Sequence, residues 1–191
     1  MTEILLFHHA GGLTAGVKAF AQTLRDAGHT VHTPDLFEGR TFATVEEGVA
    51  FREEVGREVL MRRALAAAEG LPAEIVYAGM SMGCMAATAL LLDRPGALGA
   101  VYLYGAVDPA WFEAEWAAGV PAQSHQTEDD PWREAEGDEG FAARVPGSES
   151  YLYPGSGHLF ADPGSADFDQ AAADLATQRV LAFLDAVDQR S

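Results

Sequence analysis

The sequence predicts an α/β fold with a mostly parallel sheet of about six or seven strands and helices on both faces. Short apolar segments alternate with longer segments of helical periodicity. The apolar segments are nearly continuous, which is typical of strands that a parallel sheet buries on both faces. Six such segments lie at residues 4–7, 30–33, 75–78, 100–104, 120–124 and 150–153.

The segments between these strands carry helix signals. Residues 15–27 place apolar side chains on one face, and Gly28 follows as a stop signal. Thr44 and Glu47 have the spacing of a capping box, and we expect one helix from there to residue 69. Two further helices are predicted at residues 82–92 and 169–187. Residues 126–148 are acidic and rich in glycine, and we expect one loop and one short exposed helix there.

Length and composition exclude several classes of protein. The 191 residues suit one domain spanning 1–191, and 48% are hydrophobic, which is enough for a sizeable core. The formal net charge of -17 argues against binding to nucleic acids or anionic membranes, which require Lys and Arg. No segment approaches the ~20 apolar residues of a membrane span.

The location predicted from the sequence is the cytoplasm. The apolar run at residues 4–7 is short and has no basic flank, so we interpret it as a strand rather than a signal peptide. The single cysteine, Cys84, excludes an intramolecular disulfide framework.

The strongest chemical signal is Gly79-Met80-Ser81-Met82-Gly83, a G-x-S-x-G sequence at the junction of a predicted strand and a predicted helix. In α/β-hydrolases this context forms a sharp turn that raises a nucleophilic serine above the sheet edge. The short chain leaves no room for a large lid, so we expect an open site for small substrates. An ordinary turn that happens to contain serine is the alternative, and the strand–turn–helix context favours Ser81 as a nucleophile.

A serine nucleophile needs a base and an acid, which follow it in the order acid, then histidine, in this fold. His158 lies in a glycine-rich loop between the last strand and the last helix, where its ring can overhang the sheet. Three acids, Glu128, Asp129 and Asp130, follow the strand at 120–124. Asp130 is the favoured partner of His158, with Asp129 next.

An oxyanion hole requires two backbone N–H groups. Met82 directly follows the nucleophile and supplies one of them. The second is expected from the glycine-containing loop after the first strand, with Ala10 favoured and His9 as the alternative. Five side chains are candidates for the substrate pocket: His9, Phe37, Arg40, Trp111 and Phe160.

At this point the sequence resembles the dienelactone hydrolase family of α/β-hydrolases over nearly its whole length. The resemblance lies in the serine motif and in residues 8–13, 28–36, 125–132 and 157–160. It implies an α/β-hydrolase fold and hydrolase activity. The family's H-x-x-x-x-D segment, placed on His125, implies Asp130 as the triad acid.

Three departures from the family bear on the substrate. The best-known members have a cysteine nucleophile where this chain has Ser81. A family glutamate falls at His9, and an arginine that helps to hold the substrate carboxylate corresponds to Asp162. We expect that an anionic substrate would meet an acidic rim, so a neutral ester, lactone or thioester is predicted instead.

The preferred hypothesis is a serine hydrolase that uses Ser81, Asp130 and His158 through an acyl-enzyme intermediate. It requires no organic cofactor and no metal, since His8, His9, His125 and His158 lack metal-site spacing. Two alternatives remain: a non-catalytic binding protein with this fold, or an acyltransferase with the same triad. We expect a monomer or a homodimer. The expected binding partner is a small-molecule ester, lactone or thioester substrate.

Overall fold

The computed structural model describes residues 1–190, and its centre is one six-stranded parallel sheet. The strand order is β2-β1-β3-β4-β5-β6, and every neighbouring pair runs parallel. The strands β1 to β6 span Glu3–Phe7, Thr30–His32, Val76–Met80, Gly99–Leu103, Ala122–Thr127 and Glu149–Tyr153. This architecture confirms the fold class predicted from the sequence.

Helices cover both faces of the sheet. The helices α1 to α6 span Ala15–Asp26, Val45–Val55, Arg57–Ala68, Met82–Asp93, Ala135–Arg144 and Gln170–Asp188. Apolar residues of α1 and α6 pack with one set of strand side chains, and those of α3, α4 and α5 pack with the other. No helix within residues 1–190 is both long enough and apolar enough to cross a membrane.

The alternation of side chains along each strand explains the two layers. In β1, Ile4 and Leu6 belong to the α1 and α6 layer, while Leu5 and Phe7 belong to the α3 and α4 layer. All four are essentially inaccessible to solvent. A strand that is buried on both sides must be apolar at successive positions, which is the pattern seen in the sequence.

The expectation of one helix over residues 44–69 is wrong. The capping box of Thr44 and Glu47 forms as predicted and starts α2. Gly56 then adopts a φ of 85°, which ends α2, and α3 starts at the next residue. This left-handed conformation favours glycine and interrupts the i to i−4 bonding of a helix.

The topology places an opening at the carboxyl end of β1 and β3. The chain leaves β1 for β2 on one side, then returns to β3 on the other side of β1. In open parallel sheets the loops diverge at such a switch point and leave a crevice for ligands. The loop after β1 and the turn after β3 flank this crevice.

Candidate active site

Ser81 forms a strained turn between β3 and α4. Its φ of 49° and ψ of -114° lie outside the regions that non-glycine residues favour. Its N–H donates to Leu103 O at 2.8 Å, and its own carbonyl accepts from Cys84 N–H at 2.8 Å. Such strain costs on the order of 1–3 kcal/mol and persists only where surrounding contacts hold it.

The two glycines of the motif allow α4 to lie close to the sheet. A Cβ atom on Gly79 would come within 2.5 Å of the backbone of Cys84. A Cβ atom on Gly83 would come within 2.4 Å of Phe7 O in β1. The motif therefore has small residues at these two positions because a side chain at either would push α4 away from β1 and β3.

The variant Gly83→Ala is expected to be destabilised, although alanine normally favours a helix over glycine by about 1 kcal/mol. Overpacking against rigid backbone costs about 1–3 kcal/mol or more, which should lower Tm by roughly 5–10 °C in a chain of this size. Thermal denaturation measures this effect. Gly105→Ala is the control, since its Cβ would meet only Cys84 Sγ at 3.7 Å; an unchanged or raised Tm for Gly83→Ala would contradict the packing argument.

Ser81, His158 and Asp130 form a continuous hydrogen-bonded row. Ser81 Oγ lies 2.8 Å from His158 Nε2, and His158 Nδ1 lies 2.7 Å from Asp130 Oδ2. The side chains of His158 and Asp130 are only 3% and 1% exposed. A carboxylate only accepts hydrogen bonds, so Nδ1 carries the proton and Nε2 is free to accept from Ser81.

Backbone contacts hold the acid and the imidazole in place. Asp130 Oδ1 accepts from Trp132 N–H at 2.8 Å, so both carboxylate oxygens are occupied. Asp167 Oδ2 accepts from His158 N–H at 3.1 Å and fixes the loop that carries the ring. Asp129 is exposed and contributes its backbone N–H to Gly155 O at 3.0 Å. Of the two neighbouring aspartates, Asp130 is the one that contacts His158.

Two backbone N–H groups at the crevice are available to a ligand. Met82 begins α4, where the first N–H groups of a helix lack partners within the helix. Ala10 lies in the loop after β1, and neither its N–H nor that of Met82 donates a hydrogen bond within residues 1–190. Ala10, Ser81 and Met82 line the same cavity, so both donors and the serine can reach one bound group.

The cavity above Ser81 has a volume of about 610 Å³, which is within the range of small-molecule sites. Its wall is built largely from α2, α3, the start of α4 and the loops after β4 and β5. Two arginines, Arg52 and Arg57, and two glutamates, Glu53 and Glu134, line it. The charged groups of this wall are therefore balanced, whereas the sequence predicted an acidic rim. The apolar wall consists mainly of Leu36, Val45, Val49, Leu60, Met61, Met82, Met85, Val107, Trp111 and Trp132.

Of the five predicted pocket residues, Trp111 lines the cavity and the other four do not. Phe37 and Phe160 are at most 1% exposed and belong to the two core layers. Arg40 packs over the ring of Phe51, 5.1 Å from its centroid. His9 is buried, and its ring is hydrogen-bonded to the Asp162 side chain and to the backbone N–H of Gly11.

Several lining residues were missed by the sequence analysis. Arg52, Arg57 and Met61 reach the cavity from α2 and α3, and nothing local distinguishes them from other residues of those helices. Tyr104 and Gln126 were missed as well, although both lie at the carboxyl ends of strands, and that position is the signal that could have found them. Within residues 1–190 no group of three His, Cys, Asp or Glu side chains is arranged to hold a metal ion.

Comparison with known proteins decides the family. The profile of the dienelactone hydrolase family matches residues 1–187 of this chain. The chain belongs to the dienelactone hydrolase family. Family membership supports a hydrolase that acts on a small molecule. No curated protein sequence matches the chain.

Solved structures of low sequence identity share the fold of this family member. A dienelactone hydrolase-like promiscuous phosphotriesterase from metagenomic libraries is 18% identical, with a TM-score of 0.75 over 98% of this chain and 87% of that one. The dienelactone hydrolase from Anabaena variabilis is 23% identical, with a TM-score of 0.65 over 93% and 84%. A thioesterase domain from the curacin biosynthetic pathway is 15% identical, with a TM-score of 0.62 over 94% and 90%. These likenesses show the α/β-hydrolase fold.

Two positions that the sequence predicted to depart from the dienelactone hydrolase family pattern, His9 and Asp162, contact each other. His9 Nε2 donates to Asp162 Oδ2 at 2.9 Å, and His9 Nδ1 accepts from Gly11 N–H at 3.0 Å. Thr14 Oγ1 also donates to Asp162 Oδ2, at 2.9 Å. Burial raises the pKa of Asp162, but hydrogen bonds from His9, Gly164 and Thr14 together hold it below the usual value. The pair ties the loop of Ala10 to the segment after His158.

Two other histidines are buried as neutral rings. Burial lowers the pKa of His8 to about 4, and its Nε2 accepts from Leu36 N–H at 3.0 Å. Burial also lowers the pKa of His125 to about 3, and its Nδ1 lies 2.8 Å from the hydroxyl of Tyr153. His125 lies in β5, and its ring stacks on Tyr151 and Tyr153 of β6.

These two histidines predict a loss of stability in acid. Each binds a proton more readily in the unfolded chain, near pH 6.5, than in the folded one. Unfolding free energy should therefore fall as pH drops below about 6.5, by up to about 1.4 kcal/mol per pH unit for each ring, until each folded pKa is reached. Urea titrations from pH 7 to pH 4 measure the slope.

The variant His125→Gln should reduce the dependence of the unfolding free energy on pH, whatever its effect on stability at pH 7. His32→Gln is the control, since the His32 side chain is 36% exposed and lies outside the two core layers. An unchanged slope in His125→Gln would show that the buried ring is not the source of the acid sensitivity.

Proposed function

We propose that this protein is a serine hydrolase that cleaves a small ester, lactone or thioester through an acyl-enzyme on Ser81. The observation that carries the proposal is the row of hydrogen bonds from Ser81 Oγ to His158 and on to Asp130, at 2.8 Å and 2.7 Å. A serine with a positioned base, which is itself oriented by a buried acid, is the arrangement that activates a hydroxyl as a nucleophile.

The proposed reaction follows from the protonation states of this row. His158 Nε2 accepts the Ser81 proton while Oγ attacks the carbonyl carbon of the substrate. The imidazolium then protonates the leaving alcohol or thiol, and an ester forms between Ser81 and the acyl group. Water, deprotonated by the same nitrogen, then attacks the acyl carbon. The bond from that carbon to Ser81 Oγ breaks, the imidazolium returns the proton to Oγ, and the acid is released.

The backbone N–H groups of Met82 and Ala10 are the proposed oxyanion hole. Both line the cavity that contains Ser81, and both are unpaired within the described chain. Donors that are already oriented stabilise the charge that develops on the carbonyl oxygen without reorganising during the step. The bond from His9 to Asp162 keeps the loop of Ala10 in position for this role.

The proposed substrate is small and uncharged, because the two arginines and two glutamates of the cavity wall balance each other and favour neither sign of charge. A thioester remains among the candidates, since one protein of the same fold is described as a thioesterase domain. The proposed location is the cytoplasm, because Cys84 is a free buried thiol and not part of a disulfide.

Labelling with a fluorophosphonate tests the proposal, because this reagent phosphonylates only an activated serine. We expect stoichiometric labelling of the wild-type protein on the peptide that contains Ser81, and none in Ser81→Ala. Failure to label would favour a binding protein with this fold. Labelling together with acyl transfer to an added alcohol or thiol, in place of hydrolysis, would favour an acyltransferase.

A further inference from the structure

Gln126 carries a buried hydrogen-bond acceptor that none of the described residues uses. It lies near the carboxyl end of β5, four residues before Asp130, and is 2% exposed. Its Oε1 has no hydrogen-bond partner within residues 1–190. Gln126 also lines the cavity that contains Ser81 and His158.

The orientation of the Gln126 amide is fixed by its neighbours. Its Nε2 donates to Asp138 Oδ1 at 2.6 Å, and the other oxygen of Asp138 accepts from Arg133 Nε at 2.5 Å. A flipped amide would place two oxygens against each other, so the nitrogen must face Asp138. Asp138 does not line the cavity, and Oε1 is therefore the polar atom of Gln126 that is left for a bound molecule.

An unsatisfied buried carbonyl is unfavourable, and native proteins rarely retain one without a reason. We propose that Gln126 Oε1 accepts a hydrogen bond from the substrate, so that the preferred esters or thioesters carry a neutral donor, a hydroxyl or an amide N–H. This inference rests on the proposed function and deepens it by naming the substrate class. Gln126 is a specificity residue for the reaction at Ser81.

The apolar wall of the cavity supports a donor on an otherwise apolar substrate. Trp111, Trp132 and Met61 line it and contact hydrocarbon favourably, while Gln126 adds an unpaired amide oxygen to a wall that also carries two arginines and two glutamates. A site with one buried acceptor discriminates strongly against an analogue that lacks the matching donor, because binding that analogue leaves the acceptor unpaired.

The test compares p-nitrophenyl esters that differ only by a hydroxyl or a methyl group at acyl carbon 2, 3 or 4. At one of these positions the wild type should prefer the hydroxyl ester in kcat/KM, by on the order of 10-fold to 100-fold. Gln126→Met, which keeps the length but removes the acceptor, should lose this preference. Gln123→Met is the control, because Gln123 Nε2 donates to Glu149 at 2.8 Å and Gln123 does not line the cavity.

A second measurement separates this inference from the proposed function. Ser81→Ala should bind the uncleaved hydroxyl ester more tightly than the methyl ester, with a ratio of Kd values in the same range. Ester turnover that depends on Ser81 but shows no hydroxyl preference in kcat/KM or Kd would overturn the role of Gln126 alone. Preferential binding without turnover or fluorophosphonate labelling would retain that role and overturn the proposed hydrolysis. An equal preference for the hydroxyl ester in the wild type and in Gln126→Met would also overturn the role of Gln126.

Discussion

Replacement of Ser81 with alanine is expected to lower kcat for p-nitrophenyl acetate by ~10⁶-fold, so that hydrolysis falls to the background rate. The expectation follows from the single nucleophile in the row: His158 is 2.8 Å from Ser81 Oγ, and removal of that oxygen leaves the base without a partner. Substrate binding should survive, since the cavity wall is unchanged. Steady-state release of p-nitrophenol measures the effect.

The matched control is Ser156→Ala, which removes an exposed serine two residues before His158 and should retain full activity. Thermal denaturation of Ser81→Ala should show a folded protein, because alanine has the same backbone requirements as serine at this turn. Residual activity of Ser81→Ala within 10-fold of wild type would place the nucleophile elsewhere, by the scale of a lost triad member.

The second large effect is expected at Asp130. Asp130→Asn should lower kcat by ~10⁴-fold while the side-chain volume is preserved. The carboxylate accepts a hydrogen bond from His158 Nδ1–H at 2.7 Å, but an amide NH₂ in that place would donate to Nδ1. The ring would then carry its proton on Nε2, which could no longer accept the proton of Ser81.

Asp129→Asn provides the matched control for Asp130→Asn. Asp129 is exposed and its structural contribution is the backbone bond to Gly155, so this variant should keep nearly full activity. The ratio of kcat values between the two variants measures how much more the Asp130 carboxylate contributes to turnover than the Asp129 carboxylate. A large loss in Asp129→Asn with little loss in Asp130→Asn would contradict the observed pairing.

The parts of the fold that could be predicted from the sequence are those with local causes. The continuous apolar runs identified β1, β3 and β4, because a strand buried on both faces has no polar side. Gly79 and Gly83 flank Ser81 because a Cβ atom at either would meet backbone, so a steric requirement is visible directly as a motif. The capping box is also local, because Thr44 and Glu47 are close in the sequence and bond each other.

The features that sequence reasoning missed depend on contacts between distant segments. Gly56 ends α2, but Gly48 in the same stretch is helical, and nothing local reveals that only Gly56 has a positive φ. Phe37 and Phe160 follow strands at the site edge, as pocket residues do, yet both turn into the core. Only the packing of α2 and α3 over the sheet brings Arg52 and Met61 to the cavity.

The pair of His9 and Asp162 illustrates the same limit. Each was identified separately as a departure from the family, and the two are 153 residues apart in the chain. In the structure they are the two ends of one hydrogen bond of 2.9 Å. At each position alone, the departure looks like the loss of a substrate contact. Together the two side chains form an internal contact that supports the loop of Ala10.

The most direct test of the central claim is mass spectrometry of the protein after acid quenching of its reaction with p-nitrophenyl acetate. The proposed mechanism predicts a protein population heavier by one acetyl group, with the acetyl on the peptide that contains Ser81 and none in Ser81→Ala. Sustained release of p-nitrophenol by the wild type with no acetyl on Ser81, or with the acetyl on another residue, would contradict the acyl-enzyme on Ser81.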